Sequence, residues 1–140
     1  MRDHDNRDAK CVLLVDDEER LRGILARYLR ARGHHVIEVS TASDARQSLD
    51  LERVDVLLLD INLGDATGWD VLRWLRDHDA RHPSWKRPCV VVLSAVPPSA
   101  KRIEQFAPDA ILNKPFPIDA LGRLVESACQ PALVEGPGYA

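Results

Sequence analysis

Three short runs of almost unbroken apolar residues constrain this chain most: CVLLVD (11–16), VDVLLLD (54–60) and CVVVLSA (89–95). A strand with one wet face alternates apolar and polar residues, and a strand buried on both faces does not. These runs therefore belong in the middle of a sheet that is covered on both sides. Segments of helical period separate them. Residues 18–32 place Leu21, Ile24, Leu25, Tyr28 and Leu29 on one face and stop at Gly33. Residues 67–79 turn Trp69, Leu72 and Leu75 inward, and residues 117–129 do the same with Ile118, Leu121, Leu124 and Val125. Trp74 and Trp85 are candidates for the surface and take no role. HVIEV (35–39) alternates loosely, as an edge strand does, and DAILNKP (109–115) reads as a short last strand. Ser40 to Ser43 reads as a turn, with Ser43 capping a helix over about 44–52 that carries Ala45, Leu49 and Leu51 on one face. VPPSAKRIEQF (96–106) holds at most a short helix, because Pro97 and Pro98 fit only before its first turn or within it.

The resulting order is strand then helix, five times over. Strands separated by helices pair in parallel through right-handed crossovers. The fold class is thus α/β, a doubly wound sheet whose ligand site lies at the carboxyl ends of the strands. One domain is expected over residues 10–130, after a polar lead-in at 1–9 and before a loose, Pro- and Gly-rich tail at 131–140.

Composition narrows the function. Nineteen Lys plus Arg against 22 Asp plus Glu give a net charge of −3, which does not by itself suggest a nucleic-acid binder, and no direct nucleic-acid contact is expected. Arg20, Arg22, Arg27, Arg30 and Arg32 crowd one helix, and a solvated face accounts for them, since no aromatic side chains interleave for base stacking. No apolar run reaches the roughly 18 residues of a membrane span. The charged start MRDHDNRDAK is not a signal peptide, so a cytoplasmic location is expected. Cys11, Cys89 and Cys129 are widely spaced and form no CxxC pair, unlike a metal site or a disulfide framework.

The strand ends carry the chemistry. Asp16 and Asp17 close the first strand, Asp60 the third, Ser94 the fourth and Lys114 the fifth. Clustered carboxylates repel one another, and a hard cation such as Mg²⁺ relieves that cost. A hydroxyl and an ammonium are poor Mg²⁺ ligands and good partners for phosphoryl oxygens. Together they suit phosphoryl transfer onto an aspartate. Taken singly, each has a plainer reading: a strand-end Asp or Ser is usually a cap or turn residue, and a lone Lys before Pro is usually solvated. Five such residues converging on one rim reverse that weighting.

The motifs LLVDDE (13–18), LLLDINLGDATG (57–68), VVVLSA (90–95) and LNKPF (112–116) occur in order and on matching elements. On them the chain resembles the CheY-like receiver domains of two-component response regulators, over about residues 10–130. The resemblance implies a flavodoxin-like (βα)5 fold with strand order 2-1-3-4-5. It implies Asp60 as phospho-acceptor, Mg²⁺ held by Asp16, Asp17, Asp60 and the backbone carbonyl of Asn62, and Ser94 and Lys114 as phosphoryl partners. It also implies a cis Lys114–Pro115 bond. A receiver of this kind takes its phosphoryl group from a histidine kinase or histidine phosphotransfer protein. It catalyses its own phosphorylation and dephosphorylation without being a turnover enzyme, and it acts on a downstream protein partner. Homodimerisation stays open.

Two departures fall on the signalling side. Ile111 stands three residues before Lys114, where receivers usually carry Tyr or Phe, and Pro97–Pro98 alter the segment leading to the fourth helix. Gly64 replaces a frequent Pro, and Val96 offers no polar group to orient water. Retained phosphorylation with an atypical output face is expected. The rival reading is a phosphorylation-independent binding module. A phosphatase working through an aspartyl-phosphate is a third, disfavoured because Asn62 stands where a second acid would be needed.

Overall fold

The computed structural model describes residues 9–63 and 66–127. Most of the lead-in, Gly64, Cys129 and the tail lie outside the described residues. Five strands, β1 (Cys11–Val15), β2 (His35–Val39), β3 (Val56–Asp60), β4 (Cys89–Ser94) and β5 (Ala110–Asn113), alternate with five helices. These are α1 (Glu19–Ala31), α2 (Ala42–Leu51), α3 (Gly68–Arg81), α4 (Ala100–Phe106) and α5 (Ile118–Glu126). All pairings are parallel and the strand order is β2-β1-β3-β4-β5, as expected from the resemblance. HVIEV is an edge strand, also as expected.

The apolar runs are buried on both faces, and successive side chains divide between two cores. Leu13, Val15, Leu57, Leu59, Val90 and Val92 face α2, α3 and Phe106 of α4. Val12, Leu14, Val56, Leu58, Val91 and Leu93 face α1 and α5. Every residue of β3 is buried, which suits a central strand. Burying each of its leucines contributes about 2–3 kcal/mol.

Register aligns the strand ends. Asp60 pairs with Leu93 and Ser94 with Asn113, and the Lys114 amide donates to the Ser94 carbonyl at 2.8 Å. The Asp16 amide donates to the Val39 carbonyl at 3.2 Å. One rim therefore carries all the strand-end residues. The Lys114–Pro115 bond is cis. Gly33, at φ 95°, ends α1 in the left-handed region that glycine enters freely.

Three expectations need correction. Thr41, not Ser43, caps α2: its hydroxyl accepts from the Asp44 amide at 3.0 Å, so the helix starts at Ala42, inside the expected turn. Leu51 is 69% exposed, because two residues beyond the buried Leu49 a helix has turned to its opposite side. Trp74 and Trp85 are half-buried against the α2–α3 core, joined through His78: Trp74 stacks on its ring at 4.7 Å and Trp85 meets it edge-on at 4.5 Å.

Candidate functional site

Asp16 follows β1 directly and its residue surface is 0% exposed. Its carboxylate accepts from the Glu18 amide at 2.9 Å, and its backbone carbonyl accepts from Arg22 Nη1 at 2.9 Å. Arg22 is fixed in turn by Glu38, Nε to Oε1 3.2 Å. Arg30 reaches Glu38 too, and Arg32 pairs with Glu126, so the helix arginines are not simply a solvated face. Arg22 instead anchors the backbone of a rim acid.

Asp60 ends β3 and is 6% exposed. One of its oxygens, Oδ1, accepts from the Asn62 amide at 3.0 Å. The other, Oδ2, accepts from Lys114 Nζ at 3.1 Å, and the same ammonium lies 3.5 Å from Asp16 Oδ2. Asp17 is exposed at the mouth, and ligand oxygens of Asp16, Asp17 and Asp60 all lie within 4.8 Å of one another. Such a set of hard oxygen donors fits Mg²⁺, which takes carboxylates and keeps part of its water.

Electrostatics follow from this crowding. Burial lifts the Asp60 carboxyl above the usual carboxylate range and Asp16 pushes the same way, while the Asn62 amide and Lys114 draw it back. For Lys114 burial works downward, but Asp16 and Asp60 together outweigh it and hold the ammonium above the usual lysine value. The rim thus keeps a tethered cation between two buried acids.

Gly68 positions the loop after Asp60. A Cβ there would sit 2.7 Å from the Asp60 carbonyl oxygen and 2.9 Å from Ile61 Cα. The Gly68 amide donates to the Ile61 carbonyl at 2.7 Å, so α3 starts in contact with the end of β3. Thr67 and Asp70 cap that start reciprocally.

Ser94 is buried, and its hydroxyl is turned into its own loop. It donates to the Val96 carbonyl and accepts from the Val96 amide at 3.2 Å. It shares a cleft of about 260 Å³ with Asp60, Asn62, Trp69, Ser99 and Arg102. The structure therefore brings Asp16, Asp17, Asp60 and Lys114 into one cluster, with Asn62 and Ser94 beside it. Sequence reading missed Arg22 and Arg102. Both act across elements, and an arginine among arginines or after a Pro pair carries no local sign of such a contact.

Comparison with known proteins agrees with this geometry. The response regulator receiver domain family matches residues 12–126. The chain is 33% identical over 122 residues to the transcriptional regulatory protein GltR of Pseudomonas aeruginosa, covering 84% of this chain and 48% of GltR. It thus spans about half the length of such relatives. With the polar-differentiation response regulator DivK of Brucella anthropi it shares 28% identity over 120 residues, 84% of this chain and 94% of DivK. Among solved structures, the signal receiver domain of a LuxO-type repressor protein from Vibrio parahaemolyticus superposes with a TM-score of 0.73 at 26% identity, covering 91% of this chain and 98% of that one. Strand order, acidic rim and family match converge: the chain belongs to the response regulator receiver domain family.

Proposed function

We propose that the chain accepts a phosphoryl group on Asp60 from a histidine kinase or histidine phosphotransfer protein, with Mg²⁺, and signals through a downstream protein partner. The observation that carries this reading is the Lys114 ammonium shared by Asp60 and Asp16, 3.1 and 3.5 Å away, inside a cluster of three carboxylates. Asp16, Asp17, Asp60 and the Asn62 carbonyl are the residues that would hold the metal. Bound there, Mg²⁺ supplies positive charge against the phosphoryl oxygens.

The chain's own residues do the rest. Asp60 attacks as a carboxylate: the donor's P–N bond breaks, a P–O bond to Asp60 forms, and the leaving imidazole takes a proton from solvent. Lys114 keeps the second Asp60 oxygen oriented and stays beside the new phosphoryl group as a point charge. Ser94 leaves its Val96 partners to donate to a phosphoryl oxygen. Val96 presents no side-chain polar group to align an attacking water. Phosphorylation then shifts a two-state equilibrium in the surrounding loops and changes affinity for a partner protein. Residues 10–130 form the functional unit in this reading. It works in the cytoplasm without contacting nucleic acid or membrane itself, and self-association is one route for its output. Among the described residues no helix is long and apolar enough to cross a membrane.

A small acyl-phosphate donor with Mg²⁺ tests the assignment. Intact-mass analysis should show one phosphoryl adduct on the wild type and none on Asp60→Asn. Labelling of another residue in that variant would overturn it. The second reading, a binding module indifferent to phosphorylation, is favoured by Ile111, an aliphatic side chain half-buried against the α2–α3 core. It predicts a partner affinity unchanged by Asp60→Asn or by a phosphoryl mimic.

A further inference from the structure

The cleft beside Asp60 has a cationic wall that the transfer chemistry above leaves unused. Arg102, in the first turn of α4, lines it together with Asp60, Asn62 and Ser94, whereas Lys114 lines a different groove. The Arg102 guanidinium lies over the Trp69 ring, 5.3 Å from its centroid. No carboxylate among the described residues pairs with it. Its neighbours differ: Arg73 holds Asp70 at 2.8 Å and Arg76 faces Asp77 at 3.6 Å. Arg102 is therefore parked on an aromatic face, a weak restraint beside a charge-assisted hydrogen bond.

Trp69 is itself part of a seam. It stacks on Phe106 with centroids 5.5 Å apart and so joins α3 to α4. Arg102 thus touches both the reaction cleft and the packing between two helices. Ile111, by contrast, has no polar group to exchange between solvent and core.

Resting on the reading of Asp60 as phospho-acceptor, we propose that Arg102 senses the phosphoryl group: when Asp60 carries one, the guanidinium leaves the Trp69 ring and donates to the phosphoryl oxygens. A planar fork of N–H donors suits those oxygens better than an indole face. A phosphoryl group adds about two negative charges and three acceptor oxygens. Lys114 and a reoriented Ser94 provide one ammonium and one hydroxyl, and Arg102 supplies further donors from the cleft wall. Its departure strips Trp69 of its cation and loosens the Trp69–Phe106 seam, which carries the signal outward in place of an aromatic on β5.

Indole N–H resonances of the full chain in Mg²⁺, recorded with and without beryllofluoride as phosphoryl mimic, test this. Trp69→Phe identifies the Trp69 signal. In the wild type that signal should move on adding beryllofluoride. In Arg102→Gln most of the movement should vanish, and half-saturation should require about tenfold more beryllofluoride. Arg102→Lys, which keeps the charge and loses the fork, should recover part of the affinity. A Gln variant with a wild-type apo spectrum, a full Trp69 shift and unchanged half-saturation overturns the role of Arg102 and leaves Asp60 untouched. Failure of beryllofluoride to bind even the wild type overturns the Asp60 reading and this inference with it.

Discussion

The two faces of the sheet are fastened by different physics. Between α1 and α5, Arg32 grips Glu126 through two hydrogen bonds of 2.7 and 2.8 Å, and His34 adds a contact at 3.3 Å. The Tyr28 hydroxyl donates to Asp119 at 3.2 Å, and Gly122 leaves room for that ring, since a Cβ there would lie 2.7 Å from the hydroxyl. Between α3 and α4 the fastening is aromatic. Trp69 stacks on Phe106, Arg73 and Arg76 lie over Phe106 at 5.7 and 5.6 Å, and Arg102 lies over Trp69. A forked ion pair fixes direction as well as distance. A cation over a ring can slide with little change in energy. The face that borders the cleft is thus the one built to adjust, and the opposite face is the one built to hold.

The largest break in this contrast comes from Phe106→Ala. Phe106 is buried and closes the α3–α4 seam, so its loss should lower the unfolding free energy by about 3–5 kcal/mol. Urea titration checks this, and a loss of only about 0.5 kcal/mol, the level of a surface change, would show that the seam is not packed as described. A smaller effect is expected on the other face. Glu126→Gln should shift the urea midpoint modestly, and the shift should shrink in high salt, because an exposed ion pair is screened. Phe106→Ala should show no such salt dependence, which sharpens the contrast.

The smallest effect is on acidification. Hydrogen bonds from Arg32, and secondarily from His34, hold the Glu126 carboxyl below the usual glutamate value, against the opposing pull of burial. A depressed folded value means the contribution is complete above the ordinary value of about 4.3 and is lost as pH falls through the depressed one. The stability gap between wild type and Glu126→Gln should therefore close in strongly acidic solution. A gap that widened there would reverse the sign of this linkage.

Much of the fold was legible because β1, β3 and β4 are apolar without alternation, and the acids, Ser94 and Lys114 stand at predictable strand ends. The start of α2 is ambiguous in the sequence because Thr41 and Ser43 are both good caps by type, and only the extended backbone at Thr41 decides between them. Trp74 and Trp85 read only as surface candidates because the ring that joins them, His78, is a residue whose burial has no reliable sequence sign. Arg22 and Arg102 escaped for a related reason. The partner of Arg22 is the Asp16 carbonyl beyond the start of its helix, and that of Arg102 is a ring on another helix. Periodicity reports which way a side chain faces, and says nothing of what it meets there.

His34 gives the fold a practical property. Its Nδ1 accepts from the Lys10 amide at 3.0 Å, which leaves Nε2 to donate to Glu126 at 3.3 Å. The chain just before β1 and the last turn of α5 therefore meet on one imidazole. Residues 10 and 126, brought together in this way, could be joined by a short linker and the chain reopened at a surface loop, giving a circular permutant of the receiver with the same strand order. Opening it in the 82–88 loop, far along the sequence from the acids, would leave every rim residue on an unbroken strand end.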